Sequence, residues 1–164
     1  RSCIDKQANC RENYKIRGTI HIMEIRRSLT LKNEEETRQF GLDLAENLKA
    51  GDVIALIGNL GTGKTALTRY VAEGLGIHER ISSPTFTIVK EYDSGRLPLY
   101  HFDVYRIADP EEMFNIGADE YFFGQGVCVI EWADMIEELL PENTKYIYLE
   151  YGQNPEERIY KCTF

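Results

Sequence analysis

The chain has 164 residues, of which 43% are hydrophobic and 28% are charged, and its formal net charge at neutral pH is −8. This length and composition predict one globular domain with a substantial core. No apolar run approaches the ~18 residues of a membrane span, and the polar N-terminus lacks the apolar centre of a signal peptide, so we expect a cytoplasmic protein without a membrane partner.

The charge is distributed unevenly along the chain. Residues 1–22 contain five basic and two acidic side chains, a net charge of +3 that leaves −11 for residues 23–164. An acidic body argues against a broad footprint for nucleic acid, so other subunits are expected to hold any RNA. We interpret residues 1–22 as an artificial leader or an N-terminal extension, and residues 23–164 as a single domain.

The first elements after this leader are a strand over residues 24–31 and a helix that begins after Asn33. Asn33 and Glu36 resemble a capping box, in which the Asn side chain caps the helix. The helix is amphipathic because apolar residues recur at helical spacing. These residues are Phe40, Leu44, Ala45 and Leu48.

A phosphate-binding loop follows the next strand. Residues 53–57 form a short apolar run typical of a strand buried on both faces, and residues 64–75 have helical periodicity that Gly76 is expected to end. Between them the chain reads G-x-x-x-x-G-K-T, the P-loop pattern. Its residues are Gly58, Asn59, Leu60, Gly61, Thr62, Gly63, Lys64 and Thr65.

The residue types of this loop predict a site for ATP and Mg²⁺. Glycines let several backbone N–H groups point inward at a phosphate, and the start of the helix adds its positive dipole end. Lys64 is expected to place its ammonium on the outer phosphates, and Thr65 to offer its hydroxyl to the metal.

A polar loop over residues 81–87 follows the P-loop helix and precedes a predicted hairpin over residues 88–92 and 97–102. Thr85 lies in this loop, where it could meet Mg²⁺ or the γ-phosphate as switch loops do in nucleotide hydrolases. An ordinary Ser/Pro/Thr turn is the alternative interpretation.

Two carboxylates end predicted strands and are candidates for organising Mg²⁺ and water. Glu131 ends the apolar strand 127–130, and Asp103 ends the strand before it among His101, Tyr105 and Arg106. A solvated strand-end carboxylate is the alternative for each. Trp132 is assigned to nucleotide binding because its position beside Glu131 places it near the phosphates, and a core position is the alternative. Arg106 could supply a cation to the transition state or form a surface salt bridge.

The remaining pattern predicts further helices and two C-terminal strands. Asp109 is expected to cap a helix that Gly117 ends or interrupts, and residues 133–140 read as a short helix stopped by Pro141. Residues 145–151 and 158–164 read as antiparallel strands. No cysteine has the spacing of a zinc ligand, and Cys128 is expected in the core.

Four segments carry a family resemblance: the P-loop, SPTFT (83–87), HFDVYR (101–106) and IEW (130–132). They occur in the order and spacing of the bacterial TsaE (YjeE) ATPases, which the chain resembles over residues 24–164. This resemblance implies a role in making threonylcarbamoyladenosine beside the tRNA anticodon, together with the TsaD and TsaB proteins and with tRNA held through the complex. The family's functional residues match at Lys64, Thr65, Thr85, Asp103, Glu131 and Trp132.

We therefore predict a three-layer α/β P-loop fold, with a mainly parallel sheet and added antiparallel strands. We also predict that the protein hydrolyses ATP slowly on its own. Asp103, Glu131 and Thr85 are assigned to catalysis. Thr65, Glu131 and Asp103 are assigned to the metal, and the two carboxylates are not distinguished. A small-molecule kinase and a nucleotide-gated binding module without turnover are the alternatives.

Overall fold

A single mixed sheet organises the fold in the computed structural model, which describes the backbone of residues 4–16 and 19–164 and the side chains of residues 10–14 and 20–164. Its strands are β1 (Ile4–Ile16), β2 (Thr19–Leu31), β3 (Val53–Gly58), β4 (Val89–Tyr92), β5 (Leu99–Asp103), β6 (Val127–Glu131), β7 (Lys145–Tyr151) and β8 (Arg158–Cys162). The helices are α1 (Glu34–Asn47), α2 (Lys64–Gly74), α3 (Glu112–Asn115) and α4 (Ala118–Phe122), with a 3₁₀ segment over Ala133–Leu139.

The sheet has a parallel centre and antiparallel flanks. Its strand order is β1-β2-β8-β7-β3-β6-β5-β4. The central strands β7, β3, β6 and β5 run parallel, whereas β4 pairs antiparallel with β5 and the other flank continues antiparallel through β8, β2 and β1. The carboxyl ends of the central strands therefore meet at one edge, where a P-loop fold binds its ligand.

Helices cover both faces of this sheet. On one face α1 and α2 pack on Ile54 and Leu56 of β3, and on the other α3, α4 and the 3₁₀ segment pack on Ala55 of β3 and Ile130 of β6. Alternating residues of β3 thus enter opposite cores, as a strand buried on both faces requires. This layering confirms the predicted three-layer α/β class.

The ends of the two long helices follow their local sequence. The Asn33 side chain accepts a hydrogen bond from the Glu36 amide at 3.0 Å, which confirms the predicted cap of α1. Helix α2 ends at Gly74, and Gly76 adopts a left-handed φ of +80° while its amide donates to Glu73 O at 3.0 Å. Gly76 is therefore the helix-ending residue that the sequence indicates.

The helix predicted after Asp109 is present, but it begins later than predicted, at Glu112. The Asp109 carboxylate accepts from the Glu111 amide at 3.0 Å in a turn, and one-turn helix α3 begins at Glu112. Gly117 then takes a left-handed φ of +71° and separates α3 from α4, which confirms its predicted interrupting role. A left-handed residue ends the right-handed run, so two short helices replace one.

The N-terminal segment continues the sheet. Strand β2 begins at Thr19, earlier than the predicted residue 24, and pairs with β1. The Tyr14 ring stacks on Tyr148 with 3.8 Å between centroids. The predicted boundary at residue 23 falls inside β2, and the origin of residues 1–22 stays a prediction. Within the described chain, no helix is long and apolar enough to cross a membrane.

Candidate functional site

The P-loop joins the carboxyl end of β3 to the start of α2. Gly61 and Gly63 have φ values of +81° and +96°, a left-handed conformation that favours glycine. A side chain at Gly58 would lie 2.6 Å from the Leu149 carbonyl oxygen of β7. The three glycines are therefore needed for the backbone course and for the close packing of the loop on the sheet.

Lys64 is buried beneath the curve of this loop, with 5% of its surface exposed. Its ammonium donates to the carbonyls of Gly58 at 2.7 Å and Asn59 at 2.9 Å. Burial lowers the pKa of Lys64, and the nearby charges of Glu131, Asp103 and Asp134 oppose that shift. A desolvated ammonium in this position is suited to binding phosphate oxygens.

Glu131 connects the P-loop to the next strand of the sheet. It is buried at the end of β6, where its Oε1 accepts a hydrogen bond from the Thr65 hydroxyl at 2.8 Å. Its Oε2 lies 2.5 Å from Nε2 of buried His101. Both carboxylate oxygens are thereby oriented, one by Thr65 at the start of α2 and the other by His101 of β5.

Asp103 lies beside Glu131 because the two residues are register partners in the parallel pair of β5 and β6. Its Oδ2 accepts a hydrogen bond from the Ser83 hydroxyl at 2.6 Å and lies 3.4 Å from the Thr85 hydroxyl. Its Oδ1 accepts from the Tyr105 amide at 3.0 Å. The polar loop over residues 81–87 therefore reaches the site through Asp103.

Two residues beside these carboxylates hold unusual backbone conformations. Trp132 has φ +61° and Ile88 has φ +70°, and they are the non-glycine residues with positive φ in the described chain. The Lys64 ammonium lies 4.0 Å from the centroid of the Trp132 ring. The Tyr105 ring also packs against Trp132, with 4.7 Å between the two ring centroids. Such strain is concentrated where surrounding contacts fix a functional geometry.

The structure brings the predicted site residues together at the carboxyl edge of the parallel strands. Arg106 is exposed, and its guanidinium lies 4.8 Å from the centroid of the exposed Phe86 ring. The sequence did not single out the contact of His101 with Glu131. A signal for it exists, because His101 precedes Asp103 by two residues and so lies on the same face of β5.

The oxygen atoms of this site suit Mg²⁺. Mg²⁺ is commonly held by one or two carboxylates together with substrate phosphates, and the site offers Glu131, Asp103 and the Thr65 hydroxyl. Among the described side chains, no group of three or more His, Cys, Asp or Glu residues forms a self-contained metal site. The three oxygen donors would supply part of a Mg²⁺ coordination shell, and substrate phosphates would supply further ligands.

Comparison with known proteins identifies the family. The family model "Threonylcarbamoyl adenosine biosynthesis protein TsaE" matches residues 31–160. A Bacillus subtilis protein called "tRNA threonylcarbamoyladenosine biosynthesis protein TsaE" is 51% identical over 77% of this chain and 79% of its own length. A Treponema pallidum protein of the same name is 47% identical over 72% of this chain and 87% of its own length.

A solved structure agrees with these sequence relatives. The crystal structure of Bacillus subtilis YdiB superposes with a TM-score of 0.71 at 44% identity, covering 83% of this chain and 84% of that one. The family model, which spans residues 31–160, includes the P-loop and the strands that carry Asp103 and Glu131. The chain therefore belongs to the TsaE family.

Proposed function

We propose that this protein is a Mg²⁺-dependent ATPase that acts in the cytoplasm in the biosynthesis of threonylcarbamoyladenosine beside the tRNA anticodon. Its relatives at 51% and 47% identity carry the name of that pathway. The observation that carries the ATPase assignment is the hydrogen bond of 2.8 Å between Thr65 of the P-loop and Glu131. It joins a phosphate-binding loop to a buried strand-end carboxylate, the pairing used by P-loop hydrolases.

The residues around this bond divide the work. Lys64 and the amides of the P-loop hold the phosphates, and Thr65, Glu131 and Asp103 hold Mg²⁺. When bound, Mg²⁺ neutralises negative charge on the phosphates. Glu131 and Asp103 also orient the attacking water, since both carboxylates are fixed by hydrogen bonds and buried. Thr85 contacts the γ-phosphate from the 81–87 loop.

His101 acts through Glu131. A carboxylate whose two oxygens each have a hydrogen-bonding neighbour keeps one orientation, and His101 supplies the second neighbour from inside the sheet. The Nδ1 atom of His101 is buried and has no hydrogen-bond partner among the described residues.

The partners are TsaD and TsaB, and tRNA binds to the assembled complex. Residues 23–164 carry a net charge of −11, which repels a phosphate backbone. ATP hydrolysis supports turnover of that complex. The product bond itself is formed elsewhere in the assembly.

The test is ATP hydrolysis by the protein alone, with TsaD and TsaB, and with tRNA added. We expect slow Mg²⁺-dependent hydrolysis by the isolated protein and faster hydrolysis with the partners, and the Lys64→Ala variant should show neither. Phosphate transfer to a small acceptor would indicate a kinase instead. Nucleotide binding without turnover under every condition would indicate a gated binding module.

A further inference from the structure

Arg158 connects the P-loop to the C-terminal hairpin of β7 and β8. Its Nε donates to the Thr62 carbonyl at 3.1 Å, and its Nη2 donates to the Gly61 carbonyl at 3.3 Å. Its Nη1 donates to the carbonyls of Pro155 at 2.8 Å and Glu157 at 2.9 Å, in the turn between the two strands. One guanidinium thus holds backbone carbonyls of two separate loops.

Tyr151 extends this contact by one residue. The Tyr151 hydroxyl donates to the Leu60 carbonyl, and the Arg158 guanidinium lies 5.2 Å from the centroid of the Tyr151 ring. The carbonyls of three consecutive P-loop residues, Leu60, Gly61 and Thr62, therefore accept hydrogen bonds from two side chains of the hairpin. Neither side chain belongs to the P-loop motif itself.

These carbonyls are linked covalently to the amides that a P-loop uses. Each peptide unit pairs the carbonyl of one residue with the N–H of the next, so the three units end in the amides of Gly61, Thr62 and Gly63. The Thr62 amide donates to the Asn59 carbonyl at 3.2 Å within the loop. The Gly61 and Gly63 amides are the ones that remain to face a phosphate.

A hydrogen bond to a carbonyl acts on the N–H of the same peptide unit in two ways. It polarises the unit and strengthens the N–H as a donor, and a charged donor does so more than a neutral one. It also fixes the direction of the N–H. That restraint matters because Gly61 and Gly63 readily adopt other backbone conformations in which the N–H groups point elsewhere.

We propose that Arg158 is a positioning residue for nucleotide binding. It contacts the P-loop peptides from the side opposite to the ligand and holds them in the orientation that binds phosphate. The inference rests on the proposed binding of ATP. Arg158 raises affinity by increasing the fraction of the loop that is competent to bind, because affinity falls in proportion to that fraction. The Tyr151 hydroxyl assists at the Leu60 carbonyl.

The first test is a titration of Mg²⁺ and ATP into the parent and its variants. We expect Arg158→Gln to weaken ATP binding by about tenfold, the effect of losing roughly one charge-assisted hydrogen bond. Arg158→Lys keeps the charge without the fork and should lose less. Arg96→Gln is the matched control, because Arg96 also donates to two carbonyls, Ala45 at 2.7 Å and Leu48 at 3.2 Å, outside the P-loop.

The second test needs no nucleotide. In ¹⁵N-labelled protein, Arg158→Gln and Arg158→Lys should shift the amide resonances of Thr62 and Gly63, whose peptide units Arg158 contacts, whereas Arg96→Gln should leave them in place. Circular dichroism and thermal unfolding test whether each variant is folded. If Arg158→Gln does not fold, the conclusion is drawn from Arg158→Lys.

The two tests separate this inference from the proposed function. Weaker ATP binding together with shifted amides, both specific to the Arg158 variants, supports the positioning role. Parental ATP affinity in both folded Arg158 variants overturns it. If the parent protein itself binds no ATP, the proposed function fails and the positioning role fails with it, while the amide shifts still show whether Arg158 fixes the loop.

Discussion

The P-loop and the 81–87 loop meet at the neighbouring carboxylates Glu131 and Asp103, but they are held in different ways. The P-loop is fixed through its backbone, since Lys64, Tyr151 and Arg158 all donate to its carbonyls. The 81–87 loop reaches the site through the hydroxyls of Ser83 and Thr85, and both converge on Asp103. Phe86 in that loop is 85% exposed.

Under the proposed function, we expect this difference to divide ATP binding from ATP hydrolysis. A loop whose backbone is held in place before the ligand arrives loses little further freedom on binding, so it suits the phosphate grip. A loop whose hydroxyls bond one carboxylate can change with the charge around that carboxylate, so it suits a step that senses the γ-phosphate. The variants below test this division, starting with the largest expected effect.

Replacing Lys64 with Ala should abolish productive ATP binding. The variant removes a desolvated, charge-assisted phosphate contact, a loss of about 2–5 kcal/mol of binding free energy. Calorimetric titration of ATP measures it, with Lys90→Ala as the control because Lys90 is exposed on β4. Parental affinity in Lys64→Ala would contradict the assignment of the P-loop as the nucleotide site.

Replacing Glu131 with Gln should slow hydrolysis by about 10²-fold or more while ATP binding changes much less. The amide is nearly isosteric and can still accept from Thr65, but it lacks the negative charge needed for the metal and the water. Single-turnover hydrolysis measures the rate. Glu150→Gln is the matched control. Glu150 is a carboxylate of strand β7, and its ion-pair partner is Lys161 at 3.5 Å.

Replacing Asp103 with Asn should slow hydrolysis by roughly tenfold or more, again with a smaller effect on binding. The substitution also weakens the contact that ties the 81–87 loop to the sheet, because a charged acceptor becomes neutral. Single-turnover hydrolysis and ATP titration are measured side by side. If Asp103→Asn binds ATP poorly but hydrolyses it at the parental rate, the 81–87 loop serves binding and not hydrolysis, which contradicts the assignment of the two loops.

The two hydroxyls of the 81–87 loop should differ in their effects. Ser83→Ala removes the hydrogen bond of 2.6 Å to Asp103 and should lower the free energy of unfolding by about 1 kcal/mol. Thr85→Ala removes a contact at 3.4 Å to Asp103 and an exposed hydrogen bond of 3.0 Å to the Ser83 hydroxyl, and it should change that free energy by less than about 0.5 kcal/mol while slowing hydrolysis. Denaturant unfolding compares them, and equal losses of stability would remove the distinction.

Local rules account for the parts of the site that the sequence predicts. The P-loop is recognisable because its glycines, Lys64 and Thr65 are consecutive in the chain and lie between a strand and a helix. Asp103 and Glu131 could be predicted as neighbours because both end buried strands, and the carboxyl ends of parallel strands share one edge. The paired register of these two residues is the observed form of that expectation.

Long-range register accounts for what the sequence did not reveal. The contact of His101 with Glu131 depends on which residues of β5 and β6 lie opposite one another, and that is set by the whole sheet. Arg158 lies 96 residues from Thr62 along the chain, so no local pattern indicates that it reaches the P-loop. The helix predicted after Asp109 begins later than its capping signal indicates, because the Asp109 carboxylate accepts from the Glu111 amide in a turn that precedes the helix.

The most direct test of the central claim is single-turnover hydrolysis of ATP by the isolated protein, with and without Mg²⁺, alongside Lys64→Ala and Glu131→Gln. The account predicts Mg²⁺-dependent phosphate release by the parent, no binding by Lys64→Ala, and bound but slowly hydrolysed ATP in Glu131→Gln. Equal rates in the parent and Glu131→Gln, or hydrolysis that persists in Lys64→Ala, would contradict it.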